Sequence, residues 1–226
     1  MSTLLRTAVT ASRGVCVSER EVRPPTTQEL AAAAAVVRAA LPVTPVIAAP
    51  ELGERVWLKL ETLQPTGSFK VRGGLAAMAA APEGPVITAS AGNHGLGLAR
   101  AAALLGRQAT VVVATDASPV KVHRLRRLPV TVVQAGTGYR GAEVVALELA
   151  ARDGATFVSA YNDPQVIAGQ HTIGLELDAQ VPGPLTVVVC VGGGGLLAGM
   201  ALWAAARGDV RLVGVEAAAS TAFSAA

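Results

Sequence analysis

The feature that most constrains the fold is a regular alternation of Val-rich runs with longer helical segments, which begins at Pro85. The apolar runs are PVITA, ATVVVA, VTVVQ, ATFVSA, LTVVVCV and VRLVGVE. Each is continuous, as in strands that are buried on both faces of a parallel sheet. Helical segments lie between them, and two of these end at Gly106 and Gly154. The alternation predicts an α/β fold with largely parallel sheets.

The chain before Pro85 has a less regular pattern. A capping-box sequence at residues 26–29 opens an alanine-rich helix that continues to Ala40. A strand is predicted over RVWLKLE, residues 55–61, and a helix over LAAMAAA after the GSFKVRGG segment. Prolines near residues 82–85 and 161–164 predict domain boundaries. We therefore expect three parts: an N-terminal extension at 1–25, a large domain at 26–84 and 161–226, and a small inserted α/β domain at 85–160.

Composition excludes several classes of function. A net charge of +3 and only seven aromatic residues in 226 argue against nucleic-acid binding. No apolar run reaches the roughly 18 residues of a membrane span. Cys16 and Cys190 form no metal-binding pattern, which favours a reducing cytoplasm. Residues 1–25 resemble a transit peptide in composition, but they contain Glu19 and Glu21 and no apolar core, so we expect a poorly ordered extension.

Three glycine-bearing loops contain the candidate chemistry. The first, PTGSFK, places Lys70 after small residues; a lysine amine shielded from water can attack a carbonyl and form a Schiff base, although most lone lysines are solvated. The second, SAGNHGLG at 90–97, presents Asn93 and His94 at a strand-to-helix junction, where a simple turn is the alternative. The third, VGGGGLLAG at 191–199, has glycines that let backbone N–H groups approach an anion.

Other nucleotide-binding patterns fit the third loop poorly. It lacks the GK[ST] of a phosphate-binding NTPase loop, and a dinucleotide fingerprint would leave Glu216 as the single acidic candidate. A tight turn that needs positive φ remains the alternative. A lysine, a polar clamp and a phosphate cradle at three strand ends together describe a site for pyridoxal phosphate.

The motifs KLETLQPTGSFKVRGG, SAGNHGLGLA and GGGGLLAG, with TPV at 44–46 and NDPQVIAGQHTIGLEL at 162–177, occur in a familiar order. From about Thr26 onward the chain resembles the fold type II pyridoxal phosphate enzymes, and specifically the threonine/serine dehydratases and their serine racemase relatives. The resemblance implies the tryptophan synthase beta-like fold, with two three-layer α/β domains. The family pattern continues well beyond VRLVGVE, so we expect the large domain to be C-terminally incomplete, with one side of its sheet exposed.

The resemblance also implies a role for each matching residue. Lys70 corresponds to the Schiff-base lysine that takes the Cα proton, Phe69 would pack beside the cofactor ring, and Asn93 would bind the ring hydroxyl. The phosphate would be held by backbone N–H groups of the third loop: Gly192, Gly193, Gly194, Gly195 and Leu196. The substrate carboxylate would be received in the second loop by Ser90, Gly92, Asn93 and His94.

The implied function is a cytoplasmic lyase that converts L-threonine or L-serine into a 2-oxo acid and ammonia by β-elimination, as a homodimer without nucleic acid or membrane. Racemases carry a second serine where this chain has Ala91, and threonine synthases differ at Val71, so both remain lesser alternatives. The main alternative is a catalytically deficient remnant that binds pyridoxal phosphate or only a partner. Glu216 matches one carboxylate of a family cation site but has no acidic partner, so no metal is expected.

Several other residues carry weaker expectations. Cys190, Trp57 and Trp203 are predicted to lie in or near the core. His171, which departs from the family pattern, is expected to be exposed and without a catalytic role. The basic residues of the segment after Pro119 are predicted to form a solvated surface, and Arg140 is a weak candidate for binding a carboxylate.

Overall fold

The computed structural model describes residues 22–221 and 223–224. A 3-10 turn spans Glu61–Leu63. The helices are α1 Thr27–Ala40, α2 Lys70–Ala80, α3 Asn93–Leu105, α4 Pro119–Arg126, α5 Gly138–Asp153, α6 Pro164–Gln180 and α7 Gly195–Arg207. The strands are β1 Val46–Ala48, β2 Trp57–Lys59, β3 Val86–Ala89, β4 Ala109–Val113, β5 Thr131–Gln134, β6 Thr156–Phe157, β7 Leu185–Val191 and β8 Val210–Glu216.

Four strands form a parallel sheet in the order β5-β4-β3-β6, which confirms the predicted α/β class. Every residue of β3 is buried, because α5 packs on one face of the strand and α2 and α3 pack on the other. The Val-rich pattern thus predicts burial on both faces correctly here. All four strands lie within residues 86–157, inside the range 85–160 proposed for the small domain, whose boundaries stay a prediction.

The second parallel pair, β7 and β8, differs from the four-stranded sheet because only one of its faces is covered. One face packs on α6 and α7 through residues such as Val189 and Trp203. The opposite face exposes Val188 and Val215, at 67% and 51%, together with Cys190. The prediction of burial on both faces is wrong for this pair, because the described chain places no helix over its second face. The core position predicted for Cys190 is wrong for the same reason.

Other differences concern element length. The strand predicted at 55–61 shrinks to β2, which pairs antiparallel with β1. This two-stranded sheet lies at the surface, so Trp57 is 48% exposed and its predicted near-core position is wrong, whereas Trp203 is 2% exposed as predicted. The predicted strand ATFVSA is reduced to β6, because only its first residues pair with β3.

Helix ends follow the sequence signals closely. The capping box is confirmed: the Glu29 N–H donates to Thr26 Oγ1 at 3.2 Å, and the Thr26 N–H donates to the Glu29 carboxylate at 2.7 Å. Gly106 and Gly154 end their helices at φ 64° and 62°. Most of the predicted N-terminal extension, residues 1–21, lies outside the described residues. None of the described helices is long and apolar enough to cross a bilayer.

Glycines let four helices cross at backbone contact. A methyl group on Gly97 of α3 would lie 2.8 Å from the Lys70 carbonyl oxygen in α2. A methyl group on Gly169 of α6 would lie 2.5 Å from the Arg72 carbonyl oxygen. One on Gly199 of α7 would meet backbone atoms of α6. These close crossings hold the start of α2 between α3 and α6. The sequence predicts the helices but not this layering.

Candidate functional site

The lysine segment enters α2 directly, and Lys70 is the first residue of that helix. The helix therefore begins five residues earlier than the predicted LAAMAAA segment. Phe69 is the N-cap of this helix and makes no side-chain capping bond. Thr66 Oγ1 donates to the Ser68 carbonyl at 3.4 Å, while Ser68 Oγ is buried without a hydrogen-bond partner in the described part of the chain.

The Lys70 amine is mostly buried and faces no carboxylate in the described chain. Its Nζ donates to the Ala160 carbonyl at 2.9 Å and lies 5.3 Å from the Phe69 ring centroid. Burial lowers the pKa of Lys70 from its ordinary value, and the nearby Cys190 thiol opposes that shift. A lysine whose neutral form is favoured in this way can act as a nucleophile or as a base.

The second loop lies against the first. Ser90 Oγ accepts from the Gly92 N–H at 3.1 Å, and the exposed Asn93 begins α3. His94 is 3% exposed, and neither ring nitrogen has a hydrogen-bond partner among the described residues. Burial, together with the positive charge of Lys70, lowers the pKa of His94 to about 3. The Val158 carbonyl, which lies outside hydrogen-bond geometry, has the opposite effect on the pKa.

The third loop is close to the same lysine. Cys190 lies two residues before Gly192, the first glycine of the loop, and its thiol acts electrostatically on Lys70. Leu196 packs in the same hydrophobic cluster as Phe69. Gly194 has φ 86°, which glycine adopts readily, and it turns the chain into α7, where the first-turn N–H groups have no partner within the helix. The structure thus brings the three predicted loops together.

A fourth segment, Ser159–Asn162, connects these loops, and sequence reasoning missed its role. The carbonyl of Ala160 accepts the Lys70 amine. Methyl groups on Gly193 or Gly195 would overlap or crowd the neighbouring Tyr161. Asn162 N–H donates to the buried Ser159 hydroxyl at 3.3 Å, which fixes the turn between them. The sequence signal was available, because this stretch lies at the predicted boundary near Tyr161.

A buried ion cluster behind the lysine was also missed. Arg72 is 0% exposed and forms a bidentate pair with Glu61 at 2.8 Å for each bond. Its other contacts are Glu176, at 2.6 and 2.9 Å, and the Thr172 hydroxyl at 3.1 Å. Lys59 binds the same Glu176 carboxylate at 2.5 Å. A fully buried arginine is almost always paired, but the KVRGG motif alone does not indicate that its arginine is buried.

The remaining predicted residues have mixed outcomes. His171 is 7% exposed, so its expected exposure is wrong; burial lowers its pKa, which Asp178 opposes. Arg124, expected on a solvated face, donates to the Thr66 carbonyl at 3.3 Å. The Glu216 carboxylate accepts the backbone N–H of Phe223 at 2.8 Å. Within the described residues, no group of three or more His, Cys, Asp or Glu side chains is placed to hold a metal ion.

The residues present fit pyridoxal phosphate. A methyl group on Gly192 would meet no atom within 4 Å, so this part of the loop is open to an approaching group. The backbone N–H groups beside it, at the start of α7, favour an anion. The Lys70 amine lies in the adjoining region, where burial favours the neutral form that reacts with an aldehyde.

Comparison with known proteins gives the family. The model for "Pyridoxal-phosphate dependent enzyme" matches residues 37–226. The chain is 41% identical over 183 residues to a chloroplastic biosynthetic threonine dehydratase of Solanum lycopersicum, which covers 76% of this chain and 30% of the relative. It is 41% identical over 169 residues to an L-threonine ammonia-lyase of Thermotoga maritima, which covers 73% and 42%.

A solved structure agrees with these relatives. The crystal structure of a T.th. threonine deaminase superposes with a TM-score of 0.78 at 39% identity, over 85% of this chain and 65% of that one. The chain spans well under half of the length of the two curated relatives. Pyridoxal phosphate is the cofactor that the matching family model names. On the match over residues 37–226, this chain belongs to the pyridoxal-phosphate dependent enzymes.

Proposed function

We propose that this chain is a threonine/serine dehydratase, an ammonia-lyase that acts on L-threonine or L-serine and releases a 2-oxo acid and ammonia. The observation that supports this most strongly is the position of Lys70. Its mostly buried amine lies beside the second loop, close to the third, with only a carbonyl as its hydrogen-bond partner in the described chain. The two curated relatives, a threonine dehydratase and an L-threonine ammonia-lyase, support L-threonine as the substrate.

Each residue contributes a separate part of the reaction. When bound, pyridoxal phosphate supplies an electron-withdrawing ring that stabilises negative charge at the substrate Cα. Lys70 Nζ would hold the cofactor and then accept the Cα proton, because burial favours the neutral amine. Asn93 would bind the ring hydroxyl, and Phe69 would pack beside the ring. The β-hydroxyl then leaves as water, and hydrolysis of the unsaturated product gives the 2-oxo acid and ammonia.

The other assignments concern binding. The backbone N–H groups of Gly192, Gly193, Gly194, Gly195 and Leu196 would hold the phosphate. The second loop would receive the substrate carboxylate through Ser90, Gly92, Asn93 and His94. Because the His94 ring is buried, we expect this segment to contribute backbone N–H groups, with the imidazole behind them. The homodimer and the cytoplasmic location remain predictions.

A second candidate follows from a specific observation. The exposed apolar face of β7 and β8, with Val188 and Val215, belongs to the sheet that leads into the third loop. A chain with this face uncovered could bind the cofactor and yet fail to turn over substrate, as the catalytically deficient alternative requires. The same experiment separates the two candidates.

The test uses the purified chain mixed with pyridoxal phosphate, with borohydride to fix any cofactor bound to a lysine and peptide mapping to locate it. Lys70→Ala removes the expected position, and Lys121→Ala removes an exposed lysine as the matched control. Because burial lowers the pKa of Lys70, labelling should reach half its maximum at a pH below the ordinary lysine value of 10.5. The 2-oxo acid released from L-threonine and L-serine is assayed in the same samples.

Label on Lys70 with 2-oxo acid formed would support the lyase. Label on Lys70 without product would support the cofactor-binding remnant. If wild type and Lys70→Ala are labelled equally, Lys70 does not hold the cofactor, and the proposed function is wrong at its first step.

A further inference from the structure

Tyr161 lies where two parts of the site meet. It follows Ala160, whose carbonyl accepts the Lys70 amine at 2.9 Å. Its own side chain packs on the third loop, because a methyl group on Gly193 would overlap the Tyr161 ring and one on Gly195 would lie 3.0 Å from the Tyr161 backbone. Two adjacent residues therefore contact the lysine and the glycine loop. Tyr161 has no role in the reaction proposed for Lys70.

The contact with Tyr161 explains why two of the four loop residues are glycines. Gly193 and Gly195 are needed for the close approach of Tyr161, and Gly194 is needed for its positive φ. Only Gly192 faces open space. The missing side chains of two of the four glycines thus make room for Tyr161, which leaves the role proposed for their N–H groups unchanged. The loop is therefore packed closely against Tyr161 at two of its four glycines.

Tyr161 also connects the loop to α5. Its ring centroid is 6.4 Å from that of Tyr139, at an interplanar angle of 38°. The Tyr139 hydroxyl donates to Glu143 on the same helix at 3.0 Å. Tilted aromatic pairs at this distance are favourable beyond the area they bury. The glycine loop is therefore braced against a helix that packs on the four-stranded sheet.

We propose that Tyr161 is a positioning residue for the phosphate group of the cofactor: its ring, held by Tyr139, keeps the glycine loop in the shape that binds phosphate. The proposal rests on the proposed function of the loop. It states that Tyr161 acts on recognition of the phosphate and not on the reaction of the Lys70 amine with an aldehyde. Removing the ring should therefore weaken pyridoxal phosphate binding and leave the binding of pyridoxal, which lacks the phosphate, nearly unchanged.

The experiment measures the affinity of the full chain for pyridoxal phosphate and for pyridoxal, by equilibrium dialysis and by the label fixed on Lys70. Wild type should prefer the phosphorylated form, and Tyr161→Ala should reduce that preference about tenfold, the loss of one well-placed interaction. Tyr161→Phe keeps the ring and should restore the preference. Tyr139→Ala removes the brace and should give an intermediate loss. The melting temperature of each variant checks that the fold is retained.

A double-mutant cycle tests the contact itself. Gly193→Ala alone should weaken phosphate binding because its methyl group collides with the ring. The double variant, Gly193→Ala with Tyr161→Ala, should lose less binding free energy than the sum of the losses of the two single variants. If Tyr161→Ala keeps the wild-type preference, or if the two changes are additive, the inference is wrong while the proposed function stands. If wild type binds neither compound at Lys70, the proposed function fails first and the inference fails with it.

Discussion

Two buried cations lie two residues apart at the start of α2, and their surroundings are opposite. Arg72 is enclosed by the carboxylates of Glu61 and Glu176, which outweigh the cost of burial and raise its pKa. Lys70 has a backbone carbonyl as its hydrogen-bond partner, and burial lowers its pKa. The same helical turn therefore holds one cation that stays charged and one that is easily deprotonated. The first fixes the helix, and the second is free to react.

The backbone of both residues is held by glycines of neighbouring helices. Gly97 of α3 touches the Lys70 carbonyl, and Gly169 of α6 touches that of Arg72. The difference between the two sites therefore lies in the groups that surround each side chain. Acidic residues converge on Arg72 from the 3-10 turn and from α6, whereas the surroundings of Lys70 are a histidine, a thiol and carbonyl groups. The comparison predicts which substitutions affect stability and which affect only chemistry.

The largest effect on stability is expected for Arg72→Ala. It leaves Glu61 and Glu176 facing each other in a partly buried site without their common cation, so we expect a loss of about 3–5 kcal/mol in the free energy of unfolding. Urea unfolding followed by circular dichroism measures it. The exposed Arg38 of α1 is the matched control, and Arg38→Ala should change stability by no more than about 0.5 kcal/mol. Equal losses for the two variants would show that the cluster does not stabilise the helix.

The next effect is expected for Gly97→Ala. Its methyl group would lie 2.8 Å from the Lys70 carbonyl oxygen, and because backbone atoms cannot rotate away, α2 and α3 must separate. We expect a loss of about 2–3 kcal/mol, in the upper range for overpacking. Gly92→Ala is the control: its methyl group would have its nearest neighbour at 4.0 Å, and φ is −113°. Gly92 is the N-cap of α3, where glycine is preferred to alanine, so that substitution should cost no more than about 1 kcal/mol.

A smaller effect is expected from acidification, through His94. Its pKa is about 3 in the folded chain and 6.5 in the unfolded one, so below pH 6.5 the unfolded state binds more protons. Stability should fall as the pH drops from 6.5 towards 3, by about 2 kcal/mol between pH 6.5 and 5 from this residue. His94→Leu should flatten that part of the curve in urea unfolding at several pH values, and His171→Leu should flatten it less.

The exposed His123 provides the control for this pH dependence. If His123→Ala flattens the acid limb as much as His94→Leu does, burial of His94 is not its cause. His94 and Lys70 are alike in this respect, because both are buried bases whose neutral forms the fold favours.

The three loops that meet at Lys70 could be predicted from sequence, because glycine, lysine and asparagine lie in short local motifs at strand ends; the roles of their residues stay predictions. The four-stranded sheet was predictable for a similar reason, since its strands carry their own pattern. The Arg72 cluster was not, because Glu61 and Glu176 are separated by over a hundred residues and meet only when α6 packs on α2. The exposure of one face of β7 and β8 does not follow from the residues of these strands, which predict burial on both faces; the family resemblance led us to expect it, because the family pattern continues beyond VRLVGVE.

The smallest effect on stability is expected for Lys70→Met, although Lys70 is the residue on which the proposed chemistry depends. The substitution removes one hydrogen bond to Ala160 but also removes a buried amine without a counter-charge, and the two changes should cancel to within about 1 kcal/mol at neutral pH. The pH dependence gives a second measurement. Between the lowered folded pKa of Lys70 and the ordinary value of 10.5, the unfolded wild type binds more protons, so its stability should rise with pH relative to Lys70→Met. A loss as large as that of Arg72→Ala, or a flat difference above neutral pH, would show that the two cations are alike and that the fold does not favour the neutral amine.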